Sequence, residues 1–444
     1  MSTRVFEQHE SEVRLYCRVF PKIFQRAKGS QIFDTEGRGY LDFFAGAGAL
    51  NYGHNPEPIK EKLLEYLGAD GIVHGLDVYT TQKALFLQTF VDTVLAPRGL
   101  DYKIQFPGPT GANAVEAALK LARKITGRTG IFAFTGSFHG MTMGSSSVTA
   151  SLGVRAAVGV PLSNTTFIPF PDGPHGAFDS LGLMKRLLED SCSGVERPAA
   201  VILESVQMDG GVYPSTPEFL QGLRALCDRF EILMICDDIQ VGCGRTGDFF
   251  SFDRAGIQPD IVTLSKSIGG YGLPMAVVLM KRELDRWSPG EHTGTFRANQ
   301  LSLVAATAAL EYWKDEVFLQ GLREKSQLIQ AYATSIGRAY PQLQVRSIGM
   351  VAGLDLAQCG GPAAATEIQR RCFEAGLILE RCGREDNVLK VLPALTIPRA
   401  QLVAGLEILS SALAEVLGSQ PQDISIAAMI RPAVAKPLQH ANGH

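Results

Sequence analysis

A lysine and an aspartate each follow a short apolar run in the middle of this 444-residue chain. Residues 232–236 lead to Asp237, and residues 261–265 lead to Lys266. Both runs are typical of strands, and ligands of open α/β sheets bind beyond the carboxyl ends of their strands. An amine can form a Schiff base with a carbonyl cofactor, while a carboxylate can keep a ring nitrogen protonated. The pair therefore predicts pyridoxal phosphate (PLP) chemistry, with Lys266 and Asp237 as catalytic residues.

Other polar residues near strand ends support a common site. Glu204 follows the apolar run 200–203 in the same way as Asp237 follows its own run. Ile239 lies two residues after Asp237 and could press against a flat ring, and Gln240 could reach a ring hydroxyl group. A third polar residue at a strand end makes one shared site a better interpretation than three unrelated positions.

A glycine-rich turn at residues 107–116 opens a helical pattern. The start of a helix presents free backbone N–H groups and the positive end of its dipole, which suits a phosphate. Thr110, Gly111 and Ala112 are therefore candidate phosphate-binding residues. The alternative is an ordinary loop in which Thr110 is the N-cap of the helix. No Gly-Lys-Ser/Thr follows the turn, so it is not a Walker loop.

The segment Phe138-His139-Gly140 has two interpretations. Its aromatic ring could stack on one face of the cofactor, which makes Phe138 and His139 candidate cofactor-binding residues. Alternatively, Phe138 is a core aromatic residue beside a histidine whose hydrogen bonds are satisfied. The segment alone does not distinguish these interpretations.

The elements around these residues predict an α/β fold. Continuous apolarity is typical of strands buried on both faces of a mainly parallel sheet. Such runs occupy residues 131–134, 200–203, 232–236, 261–264 and 276–280. Helical patterns separate them, including residues 113–125, where the apolar positions fall on one face, and residues 217–230.

The two ends of the chain have a different pattern. Short strands are predicted between about residues 15 and 45, and helices and strands alternate again after about residue 330. We therefore expect residues 56–330 to form a large domain. Residues 1–55 and 331–444 would together form a smaller α+β domain, with a poorly patterned tail after about residue 420.

Composition excludes some classes of function. The net charge of −3 and the pI near 6.3 provide no basic field for nucleic acid. The sequence contains no run of eighteen or more apolar residues, so no membrane span is expected. The eight cysteines contain no C-x-x-C pair, which favours a reduced, cytoplasmic protein over a disulfide or zinc framework. No metal site is expected.

Taken together, these motifs resemble the class III (ω-amino acid) aminotransferases, over roughly residues 10 to 415. The resemblance implies the type I fold of PLP-dependent transferases. In that fold, a large domain with a mainly parallel seven-stranded sheet stands beside a smaller α+β domain. The cofactor implied is pyridoxal 5'-phosphate, and the partners are small amino and oxo acids.

The resemblance also implies individual roles. Lys266 would carry the cofactor and Asp237 would bind its pyridine nitrogen, while Ile239 and Gln240 contact the ring. The turn at residues 110–112 matches the family's phosphate loop, and residues 138–140 match its stacking segment. Thr295 matches a threonine that reaches the phosphate of the neighbouring subunit. We therefore expect a homodimer, or a dimer of dimers, with shared active sites.

A narrower resemblance concerns residues 43–55, 105–111 and 293–297. These segments are similar to diaminobutyrate–2-oxoglutarate transaminases of ectoine and siderophore pathways. In that group, glutamate donates its amino group to aspartate 4-semialdehyde, which yields L-2,4-diaminobutyrate. Two alternatives stay open. One is another ω-aminotransferase that acts on 4-aminobutyrate, ornithine or a related diamine. The other is an aminomutase, racemase or decarboxylase of the same fold.

Several positions depart from the common family pattern. Met141 and Lys390 stand where arginines often hold substrate carboxylates, and both departures are shared by the diaminobutyrate group. Lysine makes a point contact rather than a bidentate fork. Three further departures are not typical of that group. They are Ala112, the pair Met208-Asp209, and Ala298.

Overall fold

The computed structural model describes residues 3–162 and 164–418. The α-helices of these residues are α1 Arg4–His9, α2 Tyr16–Val19, α3 Ala45–Gly48, α4 Glu57–Gly68, α5 Thr81–Phe90, α6 Gly111–Thr126, α7 Met143–Val148, α8 Leu152–Ala156, α9 Ser180–Glu189, α10 Pro217–Arg229, α11 Gln300–Leu310, α12 Glu316–Ala339, α13 Gly361–Glu374 and α14 Arg399–Leu417. The strands are β1 Phe24–Lys28, β2 Gln31–Asp34, β3 Gly39–Asp42, β4 Tyr102–Gln105, β5 Ile131–Phe134, β6 Thr165–Ile168, β7 Asp172–Gly173, β8 Gly176–Ala177, β9 Ala200–Leu203, β10 Val206–Gln207, β11 Tyr213–Pro214, β12 Leu233–Asp237, β13 Ile261–Leu264, β14 Val277–Lys281, β15 Gln344–Ile348, β16 Val351–Asp355, β17 Leu377–Ile378, β18 Glu380–Cys382 and β19 Val388–Val391.

Within the described residues, a seven-stranded sheet has the order β4-β14-β13-β12-β9-β5-β6. Strand β14 runs antiparallel to its neighbours β13 and β4, whereas β13, β12, β9, β5 and β6 pair in parallel. Every residue of β5, β9 and β13 is buried, which explains their continuous apolarity. The predicted mainly parallel seven-stranded sheet is confirmed.

Helix α6 has clear start and stop signals. Thr110 is its N-cap and forms a capping box with Asn113. The helix buries an alanine- and leucine-rich face against the sheet and ends at Gly127, which has a left-handed φ of 67°. These signals place Gly111 and Ala112 in the first turn of the helix, close to the edge of the sheet where the site lies.

The two ends of the chain meet in one sheet. Strand β17 pairs in parallel with β3, where Leu377 lies opposite Leu41, and β1 and β2 complete the order β1-β2-β3-β17. A second four-stranded sheet has the order β15-β16-β19-β18. The domain boundaries near residues 55 and 330 stay a prediction. The predicted tail after about residue 420 lies outside the described residues.

A buried arginine ties the middle of the chain to both ends. The guanidinium of Arg245 donates hydrogen bonds to the carbonyls of Met350 (2.9 Å) and Pro393 (2.6 Å) and to Asn51 Oδ1 (2.6 Å). Burial lowers the pKa of Arg245 to about 9. The carbonyl and amide oxygens thus hold a guanidinium that forms no ion pair with a carboxylate of the described residues.

Helix α14 is long and apolar enough to cross a membrane, judged by length and composition alone, and it is the one such helix in the described part of the chain. Its buried residues include Leu402, Leu406, Leu409 and Leu413, which belong to the core shared with α12 and β16. Packing within the protein therefore accounts for its apolar character.

Gly405 of α14 provides a test of this packing. A Cβ at Gly405 would overlap the buried ring of Phe43, so we expect Gly405→Ala to destabilise the protein by about 1–3 kcal/mol. Gly321 of α12 has no atom within 4 Å of an added Cβ, so Gly321→Ala should stabilise by about 1 kcal/mol. Urea unfolding of the two variants measures both effects. Equal midpoints would contradict the proposed overlap with Phe43.

Candidate active site

Four adjacent strands deliver the predicted site residues to one edge of the central sheet. Lys266 follows β13, Asp237 ends β12, Glu204 follows β9, and the segment from Phe138 to His139 follows β5. Because β13, β12, β9 and β5 are neighbours and run in parallel, their carboxyl ends lie side by side. The sheet topology therefore brings together residues that are distant in the sequence.

These residues surround a cavity of about 190 Å³. Its lining consists of Gly111, Ala112, Phe138, His139, Gly140, Glu204, Asp209, Asp237, Ile239, Gln240, Val241 and Lys266. Of the predicted site residues, Thr110 and Thr295 are outside this lining, and both are exposed. Val241 had no distinguishing pattern in the sequence, since it reads as an ordinary apolar residue.

Asp237 is buried and held from several sides. Its Oδ2 lies 2.6 Å from His139 Nδ1, and its Oδ1 accepts hydrogen bonds from Ile239 N and Thr263 Oγ1, both at 3.1 Å. The His139 ring is therefore placed by the carboxylate, and its Nε2 is buried without a hydrogen-bond partner among the described residues. This arrangement fixes the direction in which Asp237 faces the cavity.

Lys266 occupies an unusual backbone conformation, with a left-handed φ of 53°. Ser267 Oγ, the next side chain, donates to Gly48 O at 2.5 Å and accepts from Asn51 N at 3.3 Å, which anchors the backbone. Burial and the positive charge of Lys390 lower the pKa of Lys266, although the carboxylate of Asp209 opposes this shift. A lowered pKa favours the uncharged amine, which is the nucleophilic form.

Glu204 organises the segment that carries the aromatic ring. Its carboxylate accepts hydrogen bonds from Phe138 N at 2.9 Å and from Met208 N at 3.3 Å. Burial, together with the negative charge of Asp237, raises the pKa of Glu204 to about 7. The residue is therefore close to its midpoint of ionisation near neutral pH.

The first turn of α6 approaches the cavity closely. A Cβ at Gly111 would lie only 3.0 Å from Ile239 Cδ1, so a larger residue there would push against the Ile239 side chain. Gly111 and Ala112 present the helix N-terminus to the cavity, while Thr110 forms the cap outside it. Gln240 Nε2 donates to Ala47 O at 2.8 Å, which places its amide at the cavity wall.

These groups fit PLP. A desolvated amine, a buried carboxylate and a helix N-terminus match its carbonyl, ring nitrogen and phosphate. Among the residues that the structure describes, no cluster of three or more His, Cys, Asp or Glu side chains could hold a metal ion.

Lys390 belongs to a buried ion cluster beside the cavity. Its Nζ lies 3.0 Å from Asp209 Oδ1 and 2.9 Å from Glu380 Oε2. Burial alone would lower the pKa of Lys390, but the charges of Glu380 and Asp209 raise it well above its usual value. Glu380 Oε1 also accepts a hydrogen bond from the Tyr16 hydroxyl at 2.9 Å. Lys390 is thus ion-paired within the protein.

Glu380 and Tyr16 were not among the predicted residues. Glu380 lies directly opposite Lys390 in the antiparallel pairing of β18 and β19, and this pairing brings the two charges together. The one available signal was an acid directly after the apolar run 377–379. Of the other unusual positions, Met141 is exposed, whereas Met208 and Ala298 are buried.

Solved structures define the fold. Ornithine aminotransferase from Toxoplasma gondii superimposes with a TM-score of 0.79 at 22% identity and covers 93% of each chain. Taurine:2-oxoglutarate aminotransferase from Bifidobacterium kashiwanohense, in complex with PLP and glutamate, gives a TM-score of 0.80 at 24% identity and covers 91% of this chain and 94% of the other. The fold is the type I fold of PLP-dependent transferases.

The class III aminotransferase family model matches residues 16–413, and the chain belongs to this family. Similar proteins include the diaminobutyrate–2-oxoglutarate transaminase of Bordetella parapertussis, 51% identical over 424 residues, which covers 95% of this chain and 97% of that protein. The protein of the same name from Nocardia farcinica is 52% identical over 416 residues, covering 93% and 94% of the two chains. The predicted family resemblance is confirmed.

Glu204 predicts a pH-dependent stability. Because its pKa is about 7 in the folded protein and 4.5 ordinarily, protonation favours the folded state. This contribution is complete below pH 4.5 and is lost as the pH rises through about 7. Compared with Glu204→Gln, the wild type should lose about 3 kcal/mol across this window. Urea unfolding of both apoproteins measures the difference. If the free energy of unfolding changes with pH in the same way in both proteins, the raised pKa of Glu204 is contradicted.

Proposed function

We propose that the protein uses PLP to transfer an amino group between L-2,4-diaminobutyrate and 2-oxoglutarate, which links aspartate 4-semialdehyde to glutamate. The observation that carries the proposal is the convergence of Lys266, Asp237 and the α6 N-terminus on one cavity. The choice of substrates is supported by relatives about half identical over nearly the whole chain, which carry the name diaminobutyrate–2-oxoglutarate transaminase.

Asp237 and Lys266 have separate roles in the proposed reaction. Bound PLP supplies an electron sink that stabilises a carbanion at the substrate carbon. Asp237, oriented by His139, keeps the proton on the ring nitrogen. Lys266 Nζ first holds the cofactor and, once free, accepts the proton of the substrate carbon. Its lowered pKa favours this basic form.

The phosphate would be bound by backbone N–H groups at the start of α6. Gly111 allows this turn to approach Ile239, whose side chain lies at the cavity wall and can contact the ring. Phe138 also lines the cavity, and its backbone position is fixed by Glu204. We propose that Phe138 stacks on the ring and that Gln240 reaches the ring hydroxyl group.

A half-reaction tests the substrate. We expect L-2,4-diaminobutyrate and L-glutamate each to bleach the visible band of the lysine-linked cofactor, with 2-oxoglutarate formed from glutamate. If only 4-aminobutyrate or ornithine bleaches the band, the protein is still an aminotransferase, but diaminobutyrate is not its substrate. Turnover without stoichiometric consumption of an oxo acid would instead indicate an aminomutase, racemase or decarboxylase. As a control, Lys266→Ala should lower turnover by about a thousandfold or more.

We further infer a cytoplasmic homodimer with shared sites. All eight cysteines are free. The large side chains of Ile72, Val73, Leu76, Val78, Tyr79 and Phe296 are exposed and form the apolar patch. Its two segments lie together, since Phe296 packs against His74 and Arg297 pairs with Asp77. Protein–protein interfaces often contain exposed apolar side chains of this kind, which supports a subunit contact here. Thr295 lies directly beside Phe296, where it could reach the phosphate of a neighbouring subunit.

Subunit mixing tests the shared site. Lys266→Ala removes the reactive amine, and Thr295→Asp places a negative charge next to the phosphate of the neighbouring subunit. If sites are shared, a heterodimer of the two variants contains one intact site, and the mixture should regain about a quarter of wild-type activity. Each variant mixed with itself is the control. A mixture that stays as inactive as its components would contradict sharing through Thr295.

A further inference from the structure

The ion cluster of Asp209, Glu380 and Lys390 contains two carboxylates and one ammonium group. Tyr16 adds no charge, because burial and the neighbouring Glu380 raise the pKa of its hydroxyl group. The other cation that acts on Asp209 is Lys266, which is uncharged in the nucleophilic and basic form that receives the substrate. The cluster is therefore left with one unbalanced negative charge beside the cavity.

The members of the cluster differ in exposure. The Lys390 side chain is 0% exposed and that of Glu380 is 11% exposed, whereas that of Asp209 is 37% exposed. Asp209 lines the cavity together with Lys266, and neither Lys390 nor Glu380 does so. No residue of the described chain donates a hydrogen bond to Asp209 Oδ2. A substrate at Lys266 thus meets a carboxylate, with the ammonium of Lys390 behind it.

We infer that Asp209 recognises the ammonium group of a diamino acid that does not react. The inference rests on the proposed function and deepens it, because it assigns a residue to the second amine of the substrate. When the reacting amine is at Lys266, an ammonium at the α-carbon can pair with Asp209. Lys390 then keeps Glu380 as its partner, so no buried charge is left unpaired.

4-Aminobutyrate provides a matched comparison. It has the carbon chain, reacting amine and carboxylate of 2,4-diaminobutyrate but lacks the α-ammonium. It gains nothing from the unbalanced charge, and Asp209 stays paired with Lys390. The cluster therefore selects diamines over monoamines of equal length, although neither Asp209 nor Lys390 takes part in the bond changes.

Asp209→Asn tests this role in the donor half-reaction of the holoenzyme. The readout is the ratio of kcat/KM for diaminobutyrate to kcat/KM for 4-aminobutyrate, followed by bleaching of the cofactor band without any oxo acid. We expect the ratio to fall at least about tenfold, since a charge-assisted contact is lost. Asp209→Glu keeps the charge and should restore most of the preference. An unchanged band before substrate is added verifies an intact site.

A second variant tests the part played by Glu380. In Glu380→Gln, Asp209 becomes the sole carboxylate partner of Lys390, so the preference should also fall while Asp209 is still present. If Asp209→Asn lowers kcat/KM equally for both substrates, or leaves both values unchanged, the ratio stays at the wild-type value. Either result would overturn the inference, and equal losses would show a structural role for Asp209.

Failure of the proposed function gives a different result. If the wild type does not react with diaminobutyrate but reacts with ornithine, the substrate proposal is wrong, and the pair of ornithine and 5-aminopentanoate tests Asp209 in the same way. If the wild type reacts with no diamino acid, the substrate proposal and the role of Asp209 both fall. If it prefers diaminobutyrate and the ratio survives Asp209→Asn, only the role of Asp209 is wrong.

Discussion

The parallel pairing of β12 with β13 is the constraint on which the site depends. It places Asp237 opposite Thr263, so that Lys266 emerges three residues further on at the same edge of the sheet. The next neighbours, β9 and β5, add Glu204 and the Phe138 segment at that edge. A shift in this register would move the carboxylate away from the amine and would turn buried strand residues toward the wrong face. The same strand register is therefore required both for packing of the sheet and for assembly of the cavity.

The sequence was sufficient for this part because each local signal is strong. Continuous apolar runs predict buried strands, and a polar residue directly after such a run lies where the strand ends. The elements observed at β5, β9, β12, β13 and β14 agree with the predicted runs to within one residue. The helical pattern was predicted from residue 113, and α6 begins slightly earlier, at Gly111, because Thr110 caps it.

The ion cluster could not be predicted, because its charges come from separate parts of the chain. Glu380 meets Lys390 through the pairing of β18 with β19, and Asp209 reaches Lys390 from a loop after β10. None of these contacts leaves a local pattern. For the same reason, the sequence shows Lys390 only at the position of a family arginine, and its ion pairs with Asp209 and Glu380 become visible in the structure. The hydrogen bond between His139 and Asp237 likewise depends on two non-adjacent strands, β5 and β12.

The parallel pair of β3 and β17 has a consequence for biosynthesis. Residues 39–42 leave the ribosome long before residues 377–378 exist, so the early strand waits with an unpaired edge while the central sheet is being made. Asn51 and Gly48, which anchor Ser267 beside the lysine, belong to this early segment, and Arg245 links Asn51 to Met350 and Pro393. A nascent chain can therefore build the sheet first, but it gains its final anchor for the reactive lysine only when synthesis is almost complete.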